Sequence, residues 1–303
     1  MKILILGKNG NLGSSLTNYL SKEHKIVALG RSEMDLSKDK LIRERIKTIK
    51  PQIIVNAAAY TDVKQCEVNK NDALKINSHL LKVVSSVSAE IDSTLIHFST
   101  EYVFDGEKNL PYRENDKVNP LNYYGITKLY GEQNVMNSNC KFLIFRLSTL
   151  IGGYKNNIIY KILENSVKKK TLCMVKDQFL IPTSVDFVSR NISLILSRKI
   201  YNKFPINQIY HLAPLGKITP YFLAKYLYKK FNNIIQKEFL YEKNIEPILS
   251  SQYSRNVVRP NNCILNSSKF YNAINEKAEF WEDQFNEFAF TLISRFLKQE
   301  KLI

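Results

Sequence analysis

Residues 2–13 read KILILGKNGNLG, and this stretch decides the fold. Its first five residues form a short apolar run, which is typical of a strand buried on both faces of a parallel sheet. Glycines then follow at the spacing GxxGxxG, and apolar residues recur at helical spacing from Leu12 onward. A buried strand, a glycine-rich turn and a helix in this order predict a dinucleotide-binding βα unit.

The three glycines of this turn are Gly7, Gly10 and Gly13. Residues without a Cβ atom permit a tight turn and let a pyrophosphate approach the backbone closely. The helix that follows directs its first N–H groups at the anion. The spacing differs from the more usual GxGxxG, but its position directly between strand and helix favours a cofactor site.

Strand and helix alternate through the first half of the chain. Short apolar runs predict strands at 25–29, 53–55, 94–98 and 142–147, and helical periodicity predicts helices at 12–20, 36–48, 72–90 and 123–136. This alternation predicts an α/β protein built on a Rossmann-type, doubly wound parallel sheet.

The second half is less regular and predicts a smaller C-terminal lobe. Helices are expected at 157–168, 185–197, 219–232 and 281–298, with a strand at 208–212. We expect residues 1–150 to form an NAD(P)-binding Rossmann domain. Residues 151–303 are expected to form mainly a substrate-binding lobe, with some segments returning to the Rossmann sheet. The lobe should cover the carboxyl edge of the sheet, where open α/β sheets bind ligands.

The composition is that of a globular protein with an unusually positive charge. Lysine and arginine total 44 against 28 acidic residues, so the net charge is +16. Such a charge suggests an anionic partner. The lysine runs, such as 168–170 and 229–230, are however short and dispersed, and no nucleic-acid-binding module accompanies them. We therefore expect small phosphorylated ligands and no nucleic acid partner.

Membrane, metal and disulfide signals are weak in this chain. No apolar run approaches the ~18–20 residues of a membrane span, so no membrane partner is expected. The first apolar run leads into glycines and does not resemble a secretory signal. The four cysteines and four histidines are scattered without ligand spacing, so we expect neither a metal site nor a disulfide framework. These features predict a cytoplasmic protein.

The end of the second predicted strand bears on the choice of cofactor. A carboxylate there would bind the ribose 2′-hydroxyl of NADH. The expected acidic position is Gly30, and Arg31 follows it. Nothing at that position repels a 2′-phosphate, and Arg31 could pair with one. We predict that NADPH is preferred, with NADH as the alternative.

Tyr124 and Lys128 form a YxxxK motif at the start of a predicted helix, four residues apart and therefore on one face. The lysine ammonium favours the phenolate and is expected to lower the pKa of Tyr124. It can also hold the ribose of a nicotinamide cofactor, while the tyrosine protonates a carbonyl oxygen as hydride arrives. Thr100 follows the fourth predicted strand and could orient that carbonyl. We predict Thr100, Tyr124 and Lys128 as catalytic residues.

These motifs together resemble the extended short-chain dehydrogenase/reductases and, within them, the dTDP-4-dehydrorhamnose reductase family. The resemblance runs over nearly the whole chain. Its most specific stretches are STEYVFDG at 99–106 and PLNYYGITKLYGE at 120–132. The resemblance implies reduction of the C4 ketone of a nucleotide-linked 4-keto-6-deoxy sugar, in the synthesis of polysaccharide precursors. Hydride would come from NADPH and the proton from Tyr124.

The resemblance also implies ligand contacts and is compatible with a homodimer. The implied cofactor contacts are Gly10, Asn11, Leu12, Gly30, Asp35, Leu36, Ala59, Tyr60, Thr61, Phe98, Tyr124 and Lys128. The implied substrate contacts are Thr100, Glu101 and Thr149. Arg255 and Arg259, which flank a polar loop, are predicted to clamp the diphosphate of the substrate.

Four positions depart from the pattern of this family. Glu101 replaces the usual aspartate, and Thr149 replaces a tryptophan that packs against the sugar, so the identity of the sugar stays open. Gly30 stands where an aspartate is common. Ser15 replaces a glutamate that some members use for an interface magnesium ion, so no metal is predicted.

Other functions stay open at this point. A nucleotide-sugar epimerase with retained NAD would reuse the same tyrosine and lysine. A 4,6-dehydratase is disfavoured, because the second of two consecutive carboxylates after Thr100 is missing. A non-catalytic NADP-binding regulatory subunit, such as that of methionine adenosyltransferase, resembles the same family. The intact Tyr124 and Lys128 argue against this last function.

Overall fold

The computed structural model of the protein describes residues 1–152, 157–168, 171–197, 200–236, 244–253 and 257–299. Within these residues the strands are β1 (Lys2–Leu6), β2 (Lys25–Leu29), β3 (Ile53–Asn56), β4 (Thr94–Thr100), β5 (Lys141–Leu147), β6 (Leu150–Ile151), β7 (Leu172–Val175), β8 (Thr183–Ser184), β9 (Gln208–Leu212) and β10 (Ile245–Ile248).

The helices of the first half, in the same described residues, are α1 (Asn11–Leu20), α2 (Asp39–Ile49), α3 (Val63–Val68), α4 (Lys70–Leu74), α5 (Leu80–Glu90) and α6 (Tyr123–Met136). Those of the second half are α7 (Ile158–Val167), α8 (Val185–Ile195), α9 (Pro220–Ile235), α10 (Ser250–Tyr253), α11 (Ser268–Ile274) and α12 (Trp281–Gln299). A π-helical turn, Lys75–His79, joins α4 to α5.

The central sheet has six strands in the order β2-β1-β3-β4-β5-β9, and every pairing in it is parallel. Strand β1 supplies apolar side chains to both faces: Ile3 and Ile5 face one core cluster, and Leu4 and Leu6 face the other. Helices α1, α8 and α11 pack on the first face, and α2, α5 and α6 on the second. The predicted doubly wound parallel sheet is confirmed.

The direction of winding reverses between β1 and β3, because the chain first passes outward to β2 and then crosses back. Open α/β sheets bind their ligands at such a switch point, outside the carboxyl ends of the strands. In this protein the glycine turn follows β1 and an Ala-Ala-Ala stretch follows β3. The topology therefore brings both predicted cofactor segments to one edge.

A third core cluster lies beyond the sheet and joins segments of the second half to the loop that follows β4. It contains large aromatic side chains from α9 and α12, including Phe231, Trp281 and Phe285. Two small parallel pairs, β7 with β10 and β6 with β8, extend this region. Strand β9, by contrast, pairs with β5 in the central sheet.

Most predicted elements agree with the observed ones within a few residues, but one predicted helix is interrupted, and several short elements, including helices α3, α10 and α11, were not predicted. The helix predicted at 72–90 is interrupted by the π-helical turn, a feature that side-chain periodicity does not reveal. Strands β6, β7, β8 and β10 were not predicted, because each has two to four residues and a partner distant in sequence. Pairing of that kind is decided by tertiary contacts.

A buried ion pair links α6 to β5. The Arg146 Nε and Nη2 atoms donate to the two carboxylate oxygens of Glu132 at 2.9 and 2.7 Å, and both side chains are almost fully buried. The guanidinium also lies over the Phe104 ring, 5.1 Å from its centroid. Because α6 carries Tyr124 and Lys128, this pair helps to hold the catalytic helix against the sheet.

We expect Glu132→Gln to lower the free energy of unfolding by about 3–5 kcal/mol, since it leaves the Arg146 charge buried without its counter-ion. Urea denaturation measures the loss. The matched control is Asp92→Asn, which breaks an exposed ion pair with Lys141 (2.7 Å) and should cost about 1 kcal/mol or less. Equal losses in the two variants would contradict a special contribution from the buried pair.

Candidate active site

The turn after β1 brings its backbone into close contact with the helix that follows. Gly7 adopts φ +87°, and a Cβ atom there would lie 2.7 Å from the Ala58 backbone nitrogen. A Cβ atom on Gly13 would overlap the carbonyl oxygen of Gly7. Side chains at these two positions would therefore push the turn away from the β3 end, and the space in which a pyrophosphate could approach the backbone would be lost.

The N-terminus of α1 has no side-chain cap. Its N-cap residue is Gly10, so no side chain accepts from the first N–H groups. In α6 and α8, Asn122 and Ser184 provide such a cap. The N-terminus of a helix, with its N–H groups and the positive end of the helix dipole, suits an anion. Asn11 and Leu12 form the first turn of α1, and this arrangement fits a dinucleotide pyrophosphate.

A carboxylate stands at the end of β2 although Gly30 has no side chain. Glu33 accepts from the Gly30 backbone N–H at 2.9 Å and from Lys8 Nζ at 2.6 Å. These hydrogen bonds lower the pKa of Glu33 to about 2, the largest contribution coming from Lys8. The prediction that nothing in this place repels a 2′-phosphate is therefore wrong. Glu33, three residues after Gly30, places its carboxylate at the end of β2, where Gly30 itself carries no charge.

The other predicted cofactor residues follow β2 and β3 and lie at the same edge of the sheet. Gly30 is buried, Arg31 and Asp35 are exposed, and Leu36 is partly buried against the core. After β3, Ala59 and Tyr60 are partly buried and Thr61 is exposed.

Asn77 is a residue that the sequence interpretation did not single out. Its side chain accepts from the Tyr60 N–H at 2.8 Å and donates to the Tyr60 carbonyl and to Thr127 Oγ1, both at 3.0 Å. It lies in the π-helical turn and therefore joins the loop after β3 to the catalytic helix α6. The signal available in the sequence was an asparagine at helical spacing from the apolar Ala73 and Leu81.

The predicted catalytic residues Thr100 and Tyr124 meet at the carboxyl end of β4. The Thr100 side chain lies near the Tyr124 phenol, where it acts on the pKa of that group, and its hydroxyl donates to Glu101 Oε2 at 3.3 Å. The Tyr102 ring packs edge-on against the Tyr124 ring at a centroid distance of 6.0 Å. One hydroxyl and one phenol therefore face the same point, as two groups that bind one carbonyl oxygen must.

Burial raises the pKa of Tyr124, with a smaller contribution from the nearby Glu101. The prediction that Lys128 lowers this pKa is wrong in this structure. The Lys128 ammonium donates to the Phe98 carbonyl at 2.6 Å and contacts His97, so its charge is directed at β4. A phenol with a raised pKa keeps its proton at neutral pH, which suits a proton donor.

Lys128 is itself buried, with 2% of its surface exposed. Burial lowers its pKa to about 8, while Glu132 one turn away acts in the opposite direction. Phe98, a further predicted cofactor residue, packs its ring into the core against Phe145 and offers its carbonyl to Lys128. Phe98 therefore contacts a predicted catalytic residue through its carbonyl oxygen and not through its ring.

Glu101 is buried beside the predicted catalytic residues. Its Oε1 atom accepts from the Thr149 hydroxyl at 3.4 Å, which brings two predicted substrate residues together. Burial raises the pKa of Glu101 to about 8, so the carboxyl group is mostly protonated at neutral pH. A neutral carboxyl group can donate a hydrogen bond to a sugar hydroxyl as well as accept one.

A cleft of about 730 Å³ is bordered by Arg259, Gln178, Phe179 and Lys217. Burial raises the pKa of Tyr102 and the nearby Arg259 opposes that rise, and the Tyr102 ring contacts that of Tyr124, so the cleft is two side chains away from the predicted proton donor. The second predicted diphosphate residue, Arg255, lies outside the described residues.

Two absences concern the described part of the chain. Its histidines, cysteines and acidic residues form no group of three or more that could hold a metal ion. None of its helices is long and apolar enough to cross a membrane.

Fold and side chains together define an NAD(P)-dependent oxidoreductase of the short-chain dehydrogenase/reductase class. A family model described as the RmlD substrate binding domain matches residues 1–293. The chain belongs to this family.

Individual relatives agree with this assignment. The dTDP-4-dehydrorhamnose reductase of Escherichia coli K12 is 32% identical over 274 residues, which cover 89% of this chain and 91% of the relative. A crystal structure of a dTDP-4-dehydrorhamnose reductase from Clostridium acetobutylicum has a TM-score of 0.84 at 27% identity and covers 96% of this chain and 99% of its own. That of the Bacillus anthracis enzyme, in complex with NADP, has a TM-score of 0.82 at 25% identity, covering 98% and 99%.

Protonation of Glu101 should make stability depend on pH. Its pKa is about 8 in the folded chain and about 4.5 when exposed, so the folded state holds the extra proton between these values. The free energy of unfolding should therefore fall as pH rises from about 4.5 to about 8, by at most about 1.4 kcal/mol per pH unit. Urea denaturation across this range should show the slope in the wild type and lose it in Glu101→Gln.

The exposed Glu107, in the same loop, provides the matched control. Glu107→Gln should retain the wild-type slope. An identical slope in wild type and Glu101→Gln would show that Glu101 is ionised in the folded protein throughout this range.

Proposed function

We propose that this enzyme reduces the C4 ketone of dTDP-4-dehydrorhamnose with NADPH, in the cytoplasm, to supply a precursor for polysaccharide synthesis. The observation that carries the proposal is the meeting of Thr100 and Tyr124 at the carboxyl end of β4, beside the groove of the glycine turn. The family assignment and the names of the relatives support the substrate and the reaction.

In the proposed reaction Thr100 and Tyr124 hold the substrate carbonyl oxygen by hydrogen bonds. NADPH, when bound, supplies the hydride that forms the new C–H bond at C4. The Tyr124 phenol transfers its proton to the carbonyl oxygen, so the ketone becomes a secondary alcohol and the tyrosine becomes a phenolate. Lys128 orients the cofactor ribose, and protonation from solvent restores the phenol.

The residues of the groove fit a dinucleotide. The uncapped start of α1 and the close-packed glycine turn suit the pyrophosphate, and the small side chains after β3 leave room along the backbone. Lys8 and Arg31 supply positive charge near the end of β2, and Glu33 opposes it. The complex of the Bacillus anthracis relative with NADP supports the same cofactor.

The cleft beside the catalytic group suits the nucleoside diphosphate of the substrate. Arg259 and Lys217 carry the positive charge that a diphosphate requires, and Lys217 Nζ lies 4.4 Å from the centroid of the Phe179 ring. An aromatic ring at the rim offers a face on which a base can stack. A homodimer stays a prediction.

Removal of the Tyr124 hydroxyl should abolish proton transfer. Tyr124→Phe is expected to lower kcat by about 10²–10⁴-fold, the usual contribution of a positioned acid, and to leave the Kd for NADPH nearly unchanged. Lys128→Met should weaken both cofactor binding and turnover. Tyr123→Phe is the matched control, because this neighbouring tyrosine has no place in the mechanism. A near-normal kcat in Tyr124→Phe would remove that residue from the reaction.

The charge of Glu33 should limit the preference for NADPH. We expect Glu33→Gln to raise the ratio of kcat/KM for NADPH to kcat/KM for NADH several-fold, since the carboxylate no longer opposes the 2′-phosphate. Arg31→Gln should lower the same ratio. Glu23→Gln, an exposed change at the far end of α1, should leave it unaltered. An unchanged ratio in Glu33→Gln would place Glu33 away from the cofactor phosphate.

NADPH oxidation with dTDP-, GDP- and UDP-linked 4-keto-6-deoxy sugars, with products identified by NMR, tests the substrate. We expect the dTDP-linked sugar to be preferred. Purified protein that retains NAD and consumes no added NADPH would favour an epimerase. Co-purification with a catalytic partner and no turnover of any sugar would favour a regulatory subunit.

A further inference from the structure

The start of the catalytic helix α6 is linked to a segment from the second half of the chain. Asn122, the N-cap residue of α6, donates from its Nδ2 atom to the Val258 carbonyl oxygen at 3.0 Å. Arg259, which is predicted to bind the diphosphate of the substrate, is the next residue after Val258. Tyr124, the predicted proton donor, lies two residues after Asn122. The Asn122 side chain therefore connects the two predicted ends of the substrate site.

The Asn122 amide forms hydrogen bonds through both its oxygen and its nitrogen. Oδ1 accepts from the Gly125 backbone N–H at 2.9 Å and so caps α6, while Nδ2 donates to Val258. Because one partner is a backbone donor and the other a backbone acceptor, the two bonds together fix which way the amide points. A helix cap needs only the acceptor, and serine or aspartate would supply it equally well. The donor to Val258 is what asparagine adds at this position.

Two further hydrogen bonds hold the backbone around Arg259. Gln178 Nε2 donates to the Arg259 carbonyl at 3.3 Å, and the Phe179 N–H donates to the Asn261 carbonyl at 2.8 Å. Both donors border the cleft that we propose for the nucleoside diphosphate. These two bonds hold the segment to the cleft, whereas the bond from Asn122 holds it to the catalytic helix.

The start of α6 is also held from the side of the cofactor. The Tyr123 backbone N–H donates to Glu67 Oε1 at 2.7 Å, and Glu67 belongs to α3, which follows the loop after β3. The position of Tyr124 relative to the cofactor edge therefore does not depend on Asn122. Its position relative to Arg259 does.

We propose that Asn122 is a positioning residue: its hydrogen bond to the Val258 carbonyl sets the distance between the diphosphate subsite at Arg259 and the Tyr124 phenol. A nucleotide sugar held by its diphosphate then presents its carbonyl to the proton donor. Small errors in such an alignment reduce the rate strongly, because the reacting atoms must lie within contact distance. The inference rests on the proposed function, which assigns the ligands of both ends.

The first test removes the donor and keeps the cap. In Asn122→Ser the single side-chain oxygen is needed for the Gly125 N–H, so the hydrogen bond to Val258 is lost. We expect kcat/KM for the nucleotide sugar to fall about tenfold and the Kd for NADPH to stay unchanged. Val258 is 63% exposed, so water can replace the lost donor, and the urea midpoint should stay close to that of the wild type.

Asn137→Ser is the matched control, because it makes the same substitution at the exposed C-cap of the same helix. This variant should keep the wild-type kcat/KM. A wild-type kcat/KM in Asn122→Ser would overturn the proposal, and it would show that the cap alone matters if Asn122→Ala, which lacks both bonds, is impaired.

Binding of dTDP separates positioning from damage to the cleft. This ligand has the diphosphate but no sugar, so its affinity does not depend on alignment with Tyr124. We expect its Kd, measured by calorimetry, to change less than about threefold in Asn122→Ser while kcat/KM falls about tenfold. A loss of dTDP affinity as large as the loss of kcat/KM would contradict a positioning role.

A double-mutant cycle tests whether Asn122 acts through Arg259. Once Arg259→Gln has removed the diphosphate anchor, the position of that anchor no longer matters. Asn122→Ser should therefore lower kcat/KM much less in the Arg259→Gln background than in the wild type. Fully additive effects would overturn the proposal.

A last measurement needs neither a folded variant nor a substrate. Hydrogen exchange of side-chain amides in the wild-type protein, followed by ¹⁵N NMR, should show slow exchange at Asn122 and fast exchange at the exposed Asn137. Equally fast exchange at both residues would overturn the link between α6 and Val258. If Asn122 is protected but no keto sugar is reduced, the proposed function fails while this link stands.

Discussion

Helix α6 lies very close to the turn that follows β4, and the position of the predicted catalytic residues depends on that contact. A Cβ atom on Gly125 would overlap the carbonyl oxygen of Tyr102, so glycine alone permits the approach. Lys128 then reaches the Phe98 carbonyl, and Arg146 of β5 binds Glu132 near the other end of the helix. Close backbone packing and the hydrogen bonds of Lys128 and Glu132 thus fix the position of the helix. Tyr124, at the start of this helix, lies next to Thr100 for that reason.

The site is built largely from polar groups that the fold withholds from water. Lys128, Glu101 and His97 are all buried. Burial lowers the pKa of Lys128 and of His97 and raises that of Glu101, so the neutral form of each group is favoured. Tyr124 is affected in the same sense and keeps its proton. A reductase needs a proton donor that stays neutral until it gives up its proton. Burial away from water keeps a phenol neutral in this way. The net charge of +16, by comparison, has little to do with this chemistry.

Sequence patterns predicted the parallel sheet and the motifs along its edge well, because each depends on short spacings within one element. Motifs of this local type contain Gly7, Gly13, Thr100, Tyr124 and Lys128. The residues that were missed act across elements: Glu33 reaches back to the end of β2, and Asn77 ties the loop after β3 to α6. The reversed pKa shift of Tyr124 has the same origin, since the direction of the Lys128 ammonium depends on β4.

By itself the sequence determined the class of fold and the family, since a buried strand, a glycine turn and the STEYVFDG and YYGITK stretches are local and specific. Only the tertiary structure decided which charged and polar side chains contact one another. Lys8 pairs with Glu33, Lys128 with His97, and Glu101 with Thr149, across separations of 25, 31 and 48 residues. Electrostatic interactions fall off with distance in space and with exposure to water, and neither quantity can be read from spacing along the chain.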